Sequence, residues 1–263
     1  MNIIENKIEM IKSEKRMGFM GHVVAGYPNM ETSYNAALGI SAGGADFIEV
    51  QFPFSDPFAD GPAIENACIK SLENGLKTEE CFNLTERIVK DSSSAILIMT
   101  YGNIAFKYGL EKFLKRAHEI GVCGVIIPDL IPESDEGLID LCQKYDLYPI
   151  MLAAPGNGSD RIEFLSRVGK GFIYTVARAG TTGNNTEINP EVVQWLEKVR
   201  NNSILPSAVG FGINSNQQIR NLSNHCDIAI AGSHFVREIE HAVGNQLDVR
   251  EHLKFKTSEL LCL

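Results

Sequence analysis

Eight times along this chain a short apolar run leads into a turn and then into a segment with helical spacing. Runs such as Ala95-Ile96-Leu97-Ile98-Met99 and Gly124-Val125-Ile126-Ile127 are apolar on both faces, as parallel strands covered on both sides must be. The other strands are expected at residues 19–25, 47–52, 148–152, 172–176, 207–209 and 227–230. Helices are expected at 31–43, 62–76, 79–91, 109–120, near 132–145, at 159–168, 190–200, from 216 and after 233. Eight β–α units predict a (β/α)8 TIM barrel. An extra N-terminal helix over residues 2–14, with Ile3, Ile4, Ile8, Met10 and Ile11 as its apolar stripe, would plug the bottom. An open doubly wound sheet is the alternative. It would want G-x-G-x-x-G opening the helix after the first strand, and none stands there. No shift in composition marks a linker, so residues 1–263 are expected to form one domain.

Charge and cysteine usage narrow the function. The formal net charge is −9. That disfavours sequence-independent binding to nucleic acid, which depends on neutralising phosphates with Lys and Arg. A phosphorylated small molecule stays compatible, because backbone N–H groups and helix N-termini hold phosphate without net positive charge. The six cysteines form no C-x-x-C pair and no short Cys/His cluster, so they read as reduced, mostly buried thiols and no metal site is expected. The charged N-terminal segment lacks the apolar core of a signal peptide. No apolar run approaches the ~18 residues needed to span a membrane. The expected location is the cytoplasm.

In such a barrel, chemistry belongs to the loops after the strands. In the second strand Ile48, Val50 and Phe52 share one face and Phe47, Glu49 and Gln51 the other. Glu49 should therefore point into the barrel mouth, where a carboxyl shielded from water can give and take a proton. The loop that follows is stiffened by Pro53, Pro57 and Gly61 and carries a second carboxylate, Asp60. Taken alone, Glu49 also fits an ion pair and Asp60 a turn residue. Three glycine-bearing turns follow the last three strands: Gly180-Thr181-Thr182-Gly183, Gly210-Phe211-Gly212 and Gly232-Ser233. Their backbone N–H groups can approach an anion closely, which predicts a phosphate site there. The six histidines show no ligand spacing, Trp195 reads as packing, and no G-x-S-x-G elbow supports a serine hydrolase.

The segment Pro53-Phe54-Ser55-Asp56-Pro57-Phe58-Ala59-Asp60-Gly61-Pro62 resembles the signature of the tryptophan synthase α subunit family. The resemblance extends over nearly the whole chain, through Tyr101-Gly102-Asn103, Pro128-Asp129-Leu130, residues 178–183, Gly210-Phe211-Gly212-Ile213 and Gly232-Ser233. It implies retro-aldol cleavage of indole-3-glycerol phosphate to indole and glyceraldehyde 3-phosphate, without metal or cofactor in this chain. It also implies Glu49 as the acid/base that protonates carbon 3 of the indole, and Asp60 as the acceptor for the indole N–H. By the same resemblance Tyr174 lines the site beside Glu49, and Thr182 holds the Asp60 loop. Gly183, Phe211, Gly212, Gly232 and Ser233 lie at the phosphate end, and residues 178–189 form a lid. The implied partner is a β subunit that carries pyridoxal phosphate and receives the indole, in an αββα heterotetramer, with Asp56 on the facing loop.

Four residues depart from the family pattern. His22 stands where an aromatic residue of the indole pocket is usual, Gln51 where Gly is common, Tyr27 where an acidic residue is frequent, and His234 where Ala is usual. Gln51 is expected either to crowd the site or to hydrogen-bond within it. The altered pocket at His22 and Gln51 motivates a second reading, a weakly active binding subunit that regulates its β partner.

Overall fold

In the computed structural model the described residues are 2–176, 189–210 and 212–262. The strands are β1 (Gly18–Val24), β2 (Phe47–Gln51), β3 (Ala95–Met99), β4 (Gly124–Ile126), β5 (Tyr148–Pro149), β6 (Leu152–Ala153), β7 (Ile173–Val176), β8 (Ser207–Gly210) and β9 (Ile228–Ala231). The helices are α1 (Ile3–Ser13), α2 (Met30–Ala42), α3 (Pro62–Glu73), α4 (Thr78–Asp91), α5 (Gly102–Tyr108), α6 (Leu110–Glu119), α7 (Leu138–Lys144), α8 (Ser159–Val168), α9 (Pro190–Asn202), α10 (Asn216–Leu222), α11 (Ser233–Gly244) and α12 (Val249–Leu261).

All strand pairings are parallel, in the order β5-β4-β3-β2-β1-β9-β8-β7-β6. The two segments at the ends of that order are halves of one expected strand, 148–152. On one side Tyr148 N donates to Cys123 O and Ile150 N to Val125 O, both at 3.0 Å. On the other, Tyr174 N donates to Met151 O at 2.9 Å and Lys170 N to Pro149 O at 3.1 Å. The fifth strand thus bonds both neighbours and closes the barrel. It reads as two pieces because Pro149 has no N–H for a continuous ladder.

Strand alternation divides the core in two. Ile48, Val50 and Phe52 face outward into the layer shared with the helices, where Phe52 packs edge-on against Phe82 and Phe113. Met20, Phe47, Leu97, Ile126, Phe172 and Ile228 fill the barrel interior. The bottom of that interior is closed by Ile4, Ile8 and Ile11 of α1. Asn2 ties this plug down. Its Oδ1 accepts from Ile4 N at 3.0 Å, and its Nδ2 donates to Cys123 O and Asp146 O, both at 3.1 Å. The cap that starts the helix therefore also anchors it to the barrel floor.

Two expectations are corrected. The turn read at Tyr101-Gly102-Asn103 opens a helix, α5, and Gly109 at φ +95° separates it from α6. The helix expected near 132–145 is a single 3-10 turn, Pro132–Ser134, followed by α7, with left-handed Gly137 between them. For the tail over residues 251–263 the sequence leaves open an extension of the last helix or a frayed end, and the structure has neither. The tail forms α12, capped by Asp248 accepting from Glu251 N at 3.0 Å, and it lies across α2. The approach is so close that a Cβ on Gly39 would stand 2.4 Å from Arg250 O. Among the described residues no helix is long and apolar enough to cross a membrane.

Candidate active site

The parity of β2 turns Glu49 and Gln51 inward above Phe47, at the carboxyl end of the strand. Neither reaches solvent: Glu49 is 3% and Gln51 0% exposed. In the β1–β2 register His22 stands directly opposite Glu49 and Val24 opposite Gln51. Side chains of directly opposed residues leave the same face of a sheet. His22 Nδ1 consequently lies 3.6 Å from Glu49 Oε2, an ion-pair distance but beyond a hydrogen bond.

The loop after β2 folds over a single aromatic ring. Phe54 stacks on Tyr101 with ring centroids 5.0 Å apart, and Phe58 meets it edge-on at 5.3 Å. The Tyr101 hydroxyl accepts from Ala59 N at 3.1 Å and donates to Asp60 Oδ2 at 3.2 Å. Gln51 Nε2 donates to the same Oδ2 at 2.7 Å. Gln51 therefore hydrogen-bonds within the site, the second of its two expected roles. Among the described residues no donor reaches the other oxygen, Oδ1. Burial pushes the Asp60 carboxyl above the usual range, against the pull of His22 and the Gln51 and Tyr101 hydrogen bonds.

One cavity at the barrel mouth gathers His22, Glu49, Asp60, Tyr174, Gly212, Gly232 and Ser233, enclosing about 650 Å³ of atom-free space that is partly open to solvent. Met99, Ile126 and Leu152 give it an apolar wall, fit for a flat aromatic group. Tyr174 is partly open to the cavity yet deep in the barrel mouth. Burial, with the Glu49 and Asp60 carboxylates, holds its hydroxyl proton well above the ordinary phenol range, so it is a neutral hydrogen-bonding group. At the opposite side Gly232 and Ser233 open α11, and the free N–H groups of a helix start favour an anion. A Cβ on Gly232 would meet Ile64 Cδ1 at 3.3 Å, so a side chain there would crowd the pocket.

Seven of the ten residues expected at the site thus line one space. The other three, Thr182, Gly183 and Phe211, lie outside the described residues, as does the expected lid apart from Asn189, which caps α9. Tyr101 and Ile64 had no expected role. The only hint of Tyr101 was its place in the turn after the third strand. Tyr27 donates to Glu240 at 2.6 Å, away from the cavity lining, and Trp195 packs on α9 with Nε1 donating to Val176 O at 3.0 Å. Among the described residues no three His, Cys, Asp or Glu side chains group as a metal site.

Two buried carboxylates in different surroundings, an apolar wall and a helix start suit acid/base chemistry on an aromatic, anionic substrate. The family model for "Tryptophan synthase alpha chain" matches residues 8–261. The tryptophan synthase alpha chain of Helicobacter hepaticus is 42% identical over 250 residues, covering 92% of this chain and 94% of that one. That of a Thermoanaerobacter species is 34% identical over 258 residues, 98% of each. Among solved structures, the tryptophan synthase alpha chain of Legionella pneumophila superposes with a TM-score of 0.89 at 26% identity, covering 99% of this chain and 96% of that one. A chain of Mycobacterium tuberculosis tryptophan synthase gives 0.88 at 27% identity, with 98% and 96% covered. The chain belongs to the tryptophan synthase α family, the lyases that cleave indole-3-glycerol phosphate.

Proposed function

We propose that Glu49 and Asp60 divide the lyase chemistry between them. The observation that carries this reading is their placement on one cavity in unlike settings, Glu49 facing His22 and Asp60 held by Gln51 and Tyr101. Indole cannot leave until carbon 3 is protonated. Glu49 gives that proton, and the ring becomes an indoleninium whose N–H is more acidic. Asp60 Oδ1 accepts that N–H in a hydrogen bond that strengthens as charge develops, so it lowers the barrier instead of only tightening binding. The Glu49 carboxylate then takes the proton of the neighbouring side-chain hydroxyl. The carbon–carbon bond breaks, its electron pair returns to the ring, and indole and glyceraldehyde 3-phosphate form. No proton is consumed overall.

Tyr174 borders the reacting carbon, while Gly212, Gly232 and Ser233, with Gly183 and Phe211, take the phosphate end; Thr182 holds the Asp60 loop and residues 178–189 close over the ligand, excluding water. His22 completes the indole pocket. The work is done within one domain, residues 1–263, in the cytoplasm, with no cofactor bound to this chain. The partner is a β subunit carrying pyridoxal phosphate, in an αββα assembly. The exposed loop with Asp56 and Phe58, 67% exposed, supports a contact there. Product analysis tests the division of labour. Glu49→Gln should fold and bind a phosphate-bearing substrate analogue yet release no indole. Indole release at the parent rate would remove Glu49 from the chemistry.

A further inference from the structure

The mechanism leaves His22 as a wall of the pocket, and its position says more. Strand register fixes it opposite Glu49, and both side chains are only 4% exposed. Among the described residues His22 Nε2 and Glu49 Oε2 have no hydrogen-bond partner. Unpaired polar atoms this deep cost stability, and an apolar ring in place of His22 would avoid that cost. A shift of about 1 Å or less would bring Nδ1 and Oε2 to hydrogen-bond distance. Among the described residues no Lys or Arg lines the cavity, so the imidazole is the one group there able to carry a positive charge.

We propose that His22 is the proton partner of Glu49: a positioning residue whose Nδ1 faces Oε2 and holds the proton that the carboxyl gives and takes during cleavage. This rests on the acid/base reading of Glu49. In the resting pair the proton sits on Nδ1. It crosses to Oε2, the N–H electron pair staying on the imidazole, and Glu49 passes it to carbon 3. After the carbon–carbon bond breaks, the proton taken from the side-chain hydroxyl returns by the same route, and the pair ends as it began. Glu49 from β2 stands opposite the imidazole and Asp60 from the following loop adds its charge, while the neutral Tyr174 hydroxyl from β7 and the Ser233 hydroxyl at the start of α11 line the same cavity. Burial pushes the imidazole down, but the Glu49 and Asp60 carboxylates outweigh it and raise it above the ordinary histidine value.

The test combines a titration with a rate profile. The His22 imidazole is followed by NMR in the full chain and in Glu49→Gln, its signal assigned by its loss in His22→Gln. Removing the carboxylate should lower the imidazole titration by about one unit or more. The pH profile of kcat is then measured for His22→Gln and His22→Phe. Activity needs one proton on the pair and is lost as pH rises through the pair's upper apparent pKa. Both variants lack that second proton position, so their alkaline limb should move to lower pH, with KM changing less than kcat. An imidazole that titrates alike in the parent chain and Glu49→Gln, or an alkaline limb unmoved in both His22 variants, would overturn the proposal and leave His22 as pocket wall. If Glu49→Gln itself cleaved substrate, the acid/base reading would fail instead, which is a different result. The His22→Phe profile keeps the test decisive should Glu49→Gln not fold.

Discussion

Replacing Gln51 by Leu removes the shorter of the two hydrogen bonds on Asp60 while keeping the volume of a residue that is fully buried. The 2.7 Å bond from Gln51 Nε2 ends on a carboxylate, and such bonds contribute about 1.5–3 kcal/mol. Tyr101, at 3.2 Å, would be left to hold Asp60 alone. If Asp60 must be ionised and fixed to receive the indole N–H, kcat/KM should fall by about 10- to 150-fold. The pH dependence supplies a second reading. Burial already raises the Asp60 carboxyl and the Gln51 donor opposes that rise, so its loss raises the carboxyl further. The active form is lost as pH falls through the Asp60 pKa, and the acid limb of kcat/KM should therefore move to higher pH. The assay is steady-state indole release from indole-3-glycerol phosphate, followed from neutral pH down through the acid limb. A change of less than about threefold with an unmoved acid limb would refute the idea that Gln51 positions Asp60.

Asp60→Asn should lower kcat by about 10²–10³-fold, the usual cost of losing one preorganised charge partner. It should also stabilise the fold. A carboxyl raised in the native state contributes stability at low pH that is lost as pH rises from its unfolded to its native pKa, so thermal unfolding should show a gain for Asp60→Asn at pH 7 that shrinks under acid. Ile4→Ala, at a position with 0% exposure in the barrel plug, should cost about 2–5 kcal/mol in urea unfolding while leaving KM unchanged. Gly39→Ala would place a methyl 2.4 Å from Arg250 O and 3.0 Å from Leu253 Cβ; it should cost about 1–3 kcal/mol and speed amide exchange in α12 before any other helix.

Much of this was legible in the sequence because strand parity is a local property. The alternation around Glu49 predicts an inward carboxylate, and the structure has it there. What faces Glu49 is not local. The pairing of His22 with Glu49 depends on the stagger between β1 and β2, which the barrel's shear sets and no single strand encodes. The hold of Gln51 and Tyr101 on Asp60 likewise depends on how the loop after β2 folds back over the loop after β3. α5 was missed because its first residue is glycine, which reads as a turn, and because Tyr101 offers no side-chain cap to mark the start. α12 was unreadable as a packed element because its partner is a small-residue surface on α2 more than 200 positions away, where Gly39 and Gly43 permit close approach.

Cleavage driven by Glu49 is tested most directly by release of indole from indole-3-glycerol phosphate by the purified chain, alone and with a cognate β subunit. Cleavage that rises with the β subunit and disappears in Glu49→Gln is the predicted result. No cleavage in either condition, with binding of a phosphate-bearing substrate analogue intact, would contradict it and leave a barrel that regulates its partner without performing the chemistry.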